Sequence, residues 1–147
     1  MRLFTRNGHD CTGCFEFVAE AVARLSRRDA VIDGELVASD RSGRPHFYDL
    51  TFRRYAPEDL KIWAFDLLSL NGKDLRPFPL VERRWQLDKM LRVLGHPCVG
   101  FSESFDDGAV LLRQCESMRL EGVVSKRKDA PYRSGRSSSW IKCKCAG

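Results

Sequence analysis

Near its C-terminal end the sequence Ser139-Trp-Ile-Lys-Cys-Lys144 sets two lysines two residues apart, beside Trp140 and Ile141. In an extended strand that spacing sends both ammonium groups to one face. Side by side they repel, and the arrangement makes sense where an anion lies between or across them. A phosphoryl group in transfer, with its charge spread over several oxygens, is such an anion. Arg136 lies six residues before Lys142 in a Gly/Ser loop and can reach the same anion. Upstream, Glu121-Gly-Val-Val-Ser-Lys126 opens a strand in which alternation puts Glu121 and Lys126 on opposite faces unless the strand bends, so no direct pair between them is expected. Asp33 and Glu35 in Ile32-Asp-Gly-Glu35 share a face of an otherwise apolar run. Such carboxylates are costly unless solvated, paired or bound to a cation, and an edge strand with wet carboxylates is the plain alternative. Phe65 in Ala64-Phe-Asp-Leu67 belongs to the core by default, yet a ring on a strand can stack on a nucleobase, worth about 1–3 kcal/mol.

These groups sit in a chain of 147 residues with 25 Lys plus Arg, 20 Asp plus Glu and 43% hydrophobic content. That length suits one domain with a real core. Both charge signs are interspersed and 15 residues are aromatic, which argues against disorder. The longest apolar runs fall far short of the roughly 20 residues a bilayer helix needs, and Arg6 interrupts any secretory leader, so the chain is expected in the cytoplasm. The charge is uneven: residues 119–147 carry eight basic residues against Glu121 and Asp129, a net excess of six, while the remainder is nearly neutral. Such a surface attracts phosphates, although a merely solvated charged face is an equally common origin. The six cysteines are expected as free thiols. Cys11-Thr-Gly-Cys14 and Cys143-Lys-Cys145 have the wrong paired spacing for zinc, and Cys11 and Cys14 lack a thioredoxin-like context.

Periodicity supplies the elements. Arg2 to Arg6 reads as a short strand ending at Asn7-Gly8. Phe15, Val18, Val22 and Leu25 mark a helix to about Arg27. Ala30 to Ala38 reads as a strand, Ser39 to Pro45 as a turn and His46 to Tyr48 as its hairpin partner. Lys61 to Leu70 runs as a strand into the hairpin pair Asn71-Gly72. Leu80, Leu87, Leu91 and Leu94 share a helical face closed by Gly95 and Pro97. Val99 to Ser104 is a strand, and Asp106 and Asp107 can cap a helix with Leu111, Cys115 and Met118 inside. Val123 to Lys126 and Ser139 to Lys144 are the last strands. Helices between meandering strands, without strict βαβ alternation, imply an α+β fold with antiparallel sheets.

Thr5-Arg-Asn7, Ile32-Asp-Gly-Glu35, Ala64-Phe-Asp-Leu67, Glu121-Gly-Val-Val-Ser-Lys126 and Ser139-Trp-Ile-Lys-Cys-Lys144 together resemble the nucleotidyltransferase motifs of ATP-dependent DNA ligases. The runs T-R-N-G-H-D, E-G-V-V-S-K-R and Y-R-S-G-R-S are most similar to the ligase domains of bacterial end-joining repair ligases. Each motif alone is weak; five in family order, with Arg136 before Lys142, are specific. The resemblance implies an adenylation-domain fold in which antiparallel sheets are flanked by helices. It also implies a reaction in which a lysine attacks the α-phosphate of ATP, AMP passes to a 5′-phosphate at a nick, and the 3′-hydroxyl displaces it. By that resemblance Glu35 holds ribose or a metal, Phe65 stacks on adenine and Glu121 binds Mg²⁺. Lys126, Lys142 and Arg136 contact nucleotide phosphate, Lys144 supports them, and Arg6 binds nucleotide or nick phosphate. The implied partners are nicked or broken duplex DNA, end-joining proteins or a separately encoded N-terminal fragment, and no membrane.

The sequence also departs from the family. The nucleophilic lysine belongs to a K-x-D-G motif expected before Arg2, and none of the seven lysines precedes x-Asp-Gly; Val31-Ile-Asp-Gly34 has valine at that place. The OB-fold domain that usually follows the last motif would begin after Gly147. Cys11, Gly13 and Cys14 stand where bulkier or polar residues are expected. Residues 1–147 are therefore expected to be a partial adenylation domain, incomplete at the N-terminal side, unable to adenylate itself and prone to dimerise through an exposed sheet edge. Two alternatives remain: an active half completed by a separate piece carrying the lysine, and a non-enzymatic nucleotide- or DNA-binding remnant.

Overall fold

A computed structural model describes residues 1–25, 29–39, 50 and 53–145. Two sheets carry the fold. In the first, β1 (Ala30–Ala38) pairs along its length with β2 (Leu60–Leu70). The turn between β2 and the short β3 (Lys73–Asp74) places both Asn71 and Gly72 at positive φ, 51° and 79°, the type I′ geometry that this residue pair favours. The strand expected over Val99 to Ser104 is shorter, β4 (Val99–Phe101), and it runs parallel to β2, so this sheet is mixed rather than purely antiparallel. In the second unit β5 (Gly122–Lys126) and β6 (Trp140–Lys144) form an antiparallel ribbon.

Packed with these sheets are the α-helices α1 (Glu16–Leu25), α2 (Leu80–Leu94) and α3 (Gly108–Ser117), besides short 3-10 turns at Thr12–Cys14 and Pro57–Asp59. Val18 and Val22 of α1, Leu87, Met90 and Leu91 of α2, and Leu60, Ala64 and Leu67 of β2 meet in one core. Gly95 ends α2 in the left-handed conformation at φ 53°. Asp107 caps α3, its carboxylate accepting from the Ala109 and Val110 amides. Asp106 does not cap; it pairs with Lys128 at 2.9 Å. Cys115 is buried as expected, but Met118 lies just past the helix and is exposed. The expected strand at Arg2 to Arg6 is reduced to one bridge, Phe4 to Asp10, around the Thr5–Gly8 turn. The helix end at Arg27 and the hairpin from Ser39 to Tyr48 lie wholly or largely outside the described residues.

Strand alternation is broken in β2. Its inward residues are Leu60, Ile62, Ala64, Leu67 and Leu70, at steps of two, two, three and three. The pairing with β1 skips one residue at each long step, leaving Phe65 and Leu68 as extra residues. A bulge of this kind re-aims side chains, and it turns Phe65 out of the core.

The segment after β5 locks the ribbon to the sheet. At the start of α2 the Ala130 carbonyl accepts the Leu80 amide and the Lys128 carbonyl the Val81 amide, 3.1 Å each, and the Arg76 carbonyl accepts the Tyr132 amide at 2.8 Å. Beneath them Arg83 and Asp66 form a fully buried bidentate pair at 2.8 and 2.9 Å. Arg83 Nη1 also donates to the carbonyls of Phe78 and Ala130. A buried charge is tolerable only when saturated in this way.

Candidate nucleotide and phosphate site

Lys126 comes from the end of β5, Phe65 from the β2 bulge and Trp140 from the start of β6. Lys126 Nζ lies 3.8 Å from the Phe65 ring centre and 3.8 Å from that of Trp140. The two rings meet edge-to-face at 5.9 Å. Register explains the meeting, since Lys126 pairs directly with Trp140 across the ribbon, while Arg84 fixes the bulge by donating to the Phe65 carbonyl at 2.9 Å. Burial pushes the Lys126 ammonium down to about 8 against the opposing pull of Asp66. Tyr132 stands edge-on to Trp140 at 6.1 Å and donates to Asp33 Oδ2 at 2.8 Å. Burial, then the Asp33 hydrogen bond, raises the Tyr132 hydroxyl to about 12.

Glu121 and Lys126 do not pair, as alternation requires. Glu121 instead meets Lys142, with Nζ 2.6 Å from Oε1. Gly122 opens β5 opposite Lys144 with φ 149°, which sets Glu121 beside the lysine strand, and a side chain at Gly122 would lie 2.1 Å from the Cys143 carbonyl oxygen. The Lys142 hydrogen bond holds the Glu121 carboxyl below the usual carboxylate range, with Lys144 adding a weaker pull. In this structure, then, the anion that Lys142 faces is a carboxylate. Val124 pairs with Lys142 on the same ribbon face as Lys126 and Trp140.

The remaining expected residues are not drawn into contacts. Glu35 is exposed on β1, Arg136 on the loop before β6 and Arg6 in the N-terminal turn, and among the described residues none has an ion pair or side-chain hydrogen bond. Asp33 and Glu35 part company: Asp33 is half-buried under Tyr132, while Glu35 faces water. Tyr132 and Trp140 join the site without a role expected from the sequence. The signal for Trp140 was its position two residues before Lys142, which puts it on the lysine face. All six cysteines are free thiols. No cluster of three or more His, Cys, Asp or Glu able to hold a metal exists among the described residues. Mg²⁺ does not demand one, because it is commonly held by one or two carboxylates together with substrate phosphates. The exposed Glu121 fits that mode. A shallow cavity of about 480 Å³, lined by Asp88, Leu91, Arg92, His96, Val99 and Phe101 among others, lies between α2 and β4 and shares no residue with this constellation.

A mixed sheet and an antiparallel ribbon flanked by helices make up an α+β fold, the nucleotidyltransferase fold of solved ligase domains. The chain belongs to the ATP dependent DNA ligase domain family, which it matches over residues 1–144. It is 40% identical over 148 residues to the multifunctional non-homologous end joining protein LigD of Pseudomonas aeruginosa, covering 99% of this chain and 18% of that protein. It is 37% identical to a probable DNA ligase of Beutenbergia cavernae, covering 98% of this chain and 30% of that one. Among solved structures, mycobacterial DNA ligase D complexed with ATP and MES superposes with a TM-score of 0.83 at 32% identity, over 97% of this chain and 47% of that one. The chain thus spans under a third of these curated relatives and about half of that solved structure.

Proposed function

We propose that this chain forms the nucleotide- and phosphate-holding part of an ATP-dependent DNA ligase site acting in repair and recombination of nicked or broken duplex DNA. The observation that carries the reading is the convergence of Phe65, Lys126 and Trp140 from three elements, with Glu121 and Lys142 on the same ribbon. Phe65 stacks on adenine. Lys126 and Lys142 contact the nucleotide phosphates, Arg136 closes on them from its loop, and Lys144 adds to the field that stabilises charge on the transferring phosphoryl group. Glu121 and Glu35 are the carboxylates that hold Mg²⁺, which when bound neutralises phosphate charge. Arg6 and the basic residues beyond Arg119 bind nucleotide or DNA phosphate, with end-joining proteins as partners in the cytoplasm. A helix long and apolar enough to cross a membrane does not occur among the described residues.

No lysine in the chain precedes x-Asp-Gly, and the reading therefore assigns no nucleophile among its residues. Incubation with α-labelled ATP and Mg²⁺ tests both parts. The expected result is measurable ATP binding without covalent label on a denaturing gel. Retained label would identify a lysine nucleophile within the chain. Absence of ATP binding, with salt-sensitive DNA affinity retained, would replace the reading with a DNA-binding remnant.

A further inference from the structure

We propose that Lys126 is the specificity-determining residue of the base site: its ammonium occupies the Phe65–Trp140 pair in the empty protein and yields only to a ligand that brings a base and a phosphate together. This rests on the nucleotide-binding reading given above and adds a selection that Phe65 alone does not impose.

The geometry makes base and ammonium exclusive. Stacked aromatic groups set their ring centres about 4.5–7 Å apart. Lys126 Nζ, 3.8 Å from both ring centres, lies over the ring face that a stacked base would cover. Stacking on Phe65 therefore requires the side chain to leave and to give up two cation–π contacts made in a half-buried setting, where such contacts are strongest.

Once displaced, the ammonium finds no uncommitted carboxylate at hand among the described residues. Asp66, the acidic group acting most strongly on it, is committed to Arg83 through both oxygens. Asp33 is engaged by Tyr132. Arg83 and Arg84 of α2 face the same region and repel it. Lys126 has no ion pair among the described residues, whereas Lys142 already holds Glu121 at 2.6 Å. A phosphate arriving with the base is the partner that compensates for the lost ring contacts, through a charge-assisted hydrogen bond. A bare nucleoside displaces the lysine and offers it nothing. The four-carbon stem allows the swing without any change in β5.

Calorimetric titration of adenosine and of ATP, without metal, into the parent chain, Lys126→Ala and Lys126→Arg provides the test. The parent should bind ATP well and adenosine poorly. Lys126→Ala should bind adenosine about tenfold more tightly and ATP more weakly, collapsing the preference, while Lys126→Arg, which keeps a cation on the rings, should preserve it. Unchanged or weakened adenosine binding in Lys126→Ala, with ATP binding intact in the parent, would overturn the proposal alone. A parent chain that binds neither ligand would overturn the nucleotide reading and this one with it. Should Lys126→Ala not fold, the unsubstituted chain decides by NMR. The Lys126 ε-methylene signal, displaced upfield by two rings, should move to its solvent position on saturation with ATP, and persistence of the upfield shift would overturn the proposal.

Discussion

Tyr132 Oη donates a 2.8 Å hydrogen bond to Asp33 Oδ2, joining the loop before β6 to strand β1 across 99 residues of chain. The contact holds the ribbon against the sheet at the place where Trp140 meets Phe65. Burial and the Asp33 carboxylate raise the Tyr132 hydroxyl to about 12 from its ordinary 10. A raised folded-state value means that the contribution is complete below pH 10 and is lost as pH rises from 10 to 12. Tyr132→Phe should lower stability by about 1.5–3 kcal/mol at pH 7, the value of a hydrogen bond to a charged acceptor. Its stability should also fall less steeply than the parent's between pH 10 and 12. Urea midpoints across that range measure both effects, and identical slopes for the two proteins would count against the assignment.

Gly122→Ala should separate β5 from β6. The backbone there has φ 149°, and a methyl group would lie 2.1 Å from the Cys143 carbonyl oxygen and 2.8 Å from the Lys144 Cα. Those are backbone atoms of the paired strand, which have no cheap way to move. The conformation alone costs about 1–3 kcal/mol for a residue with a side chain. We expect a loss of at least that size in denaturant unfolding, together with weaker ATP binding because Trp140 and Lys142 on β6 are drawn away from Lys126 on β5. Parent-like stability would show that the ribbon tolerates a wider spacing.

Much of this was legible beforehand. Ala30 to Ala38 is a strand with the expected bounds, Asn71-Gly72 makes the hairpin turn after Leu70, and Gly95 closes α2, because short-range chemistry decides each of them. The family order of motifs also fixed the fold class. What alternation could not give was the phase of β2. Two extra residues at Phe65 and Leu68 shift its inward face, and nothing in Phe-Asp-Leu-Leu marks a bulge. The pairings of Asp66 with Arg83 and of Asp33 with Tyr132 link distant segments, so only the assembled chain reveals them. The expected strand at Arg2 to Arg6 shrank to a bridge, since β-rich composition over five residues does not supply a partner.

Arg83 and Asp66 provide a third prediction. The pair is fully buried, and Arg83 also holds the carbonyls of Phe78 and Ala130. Removing one member leaves an uncompensated buried charge at a cost of about 3–5 kcal/mol, a large part of the stability of a small domain. Arg83→Met should therefore be severely destabilised in chemical denaturation. The double variant Asp66→Leu/Arg83→Met should recover much of the loss, because both charges are gone. It should not recover ATP affinity, because the segment from Lys128 to Tyr132 loses its anchor at Ala130.

Glu121 and Lys142 offer a test of the metal assignment that does not depend on nick sealing. Their 2.6 Å contact is solvent-exposed, and exposed pairs add little to stability. Its consequence lies in competition, since the carboxylate must divide itself between the ammonium and a cation arriving with nucleotide phosphate. Lys142 keeps the Glu121 carboxyl ionised below its usual range, so its readiness for a cation extends to mildly acid solution and is lost only as pH falls through the lowered value. Glu121→Gln should reduce the apparent Mg²⁺ affinity of the ATP-bound chain by about tenfold or more, the scale seen when a group ordering a metal site is removed, while leaving metal-free ATP binding unchanged or slightly tighter as Lys142 is released. Lys142→Met should do the reverse, strengthening Mg²⁺ binding to the nucleotide-free chain and weakening ATP. Titration of Mg²⁺ against each variant by calorimetry separates the two, and equal Mg²⁺ dependence in Glu121→Gln and parent would remove Glu121 from the metal site.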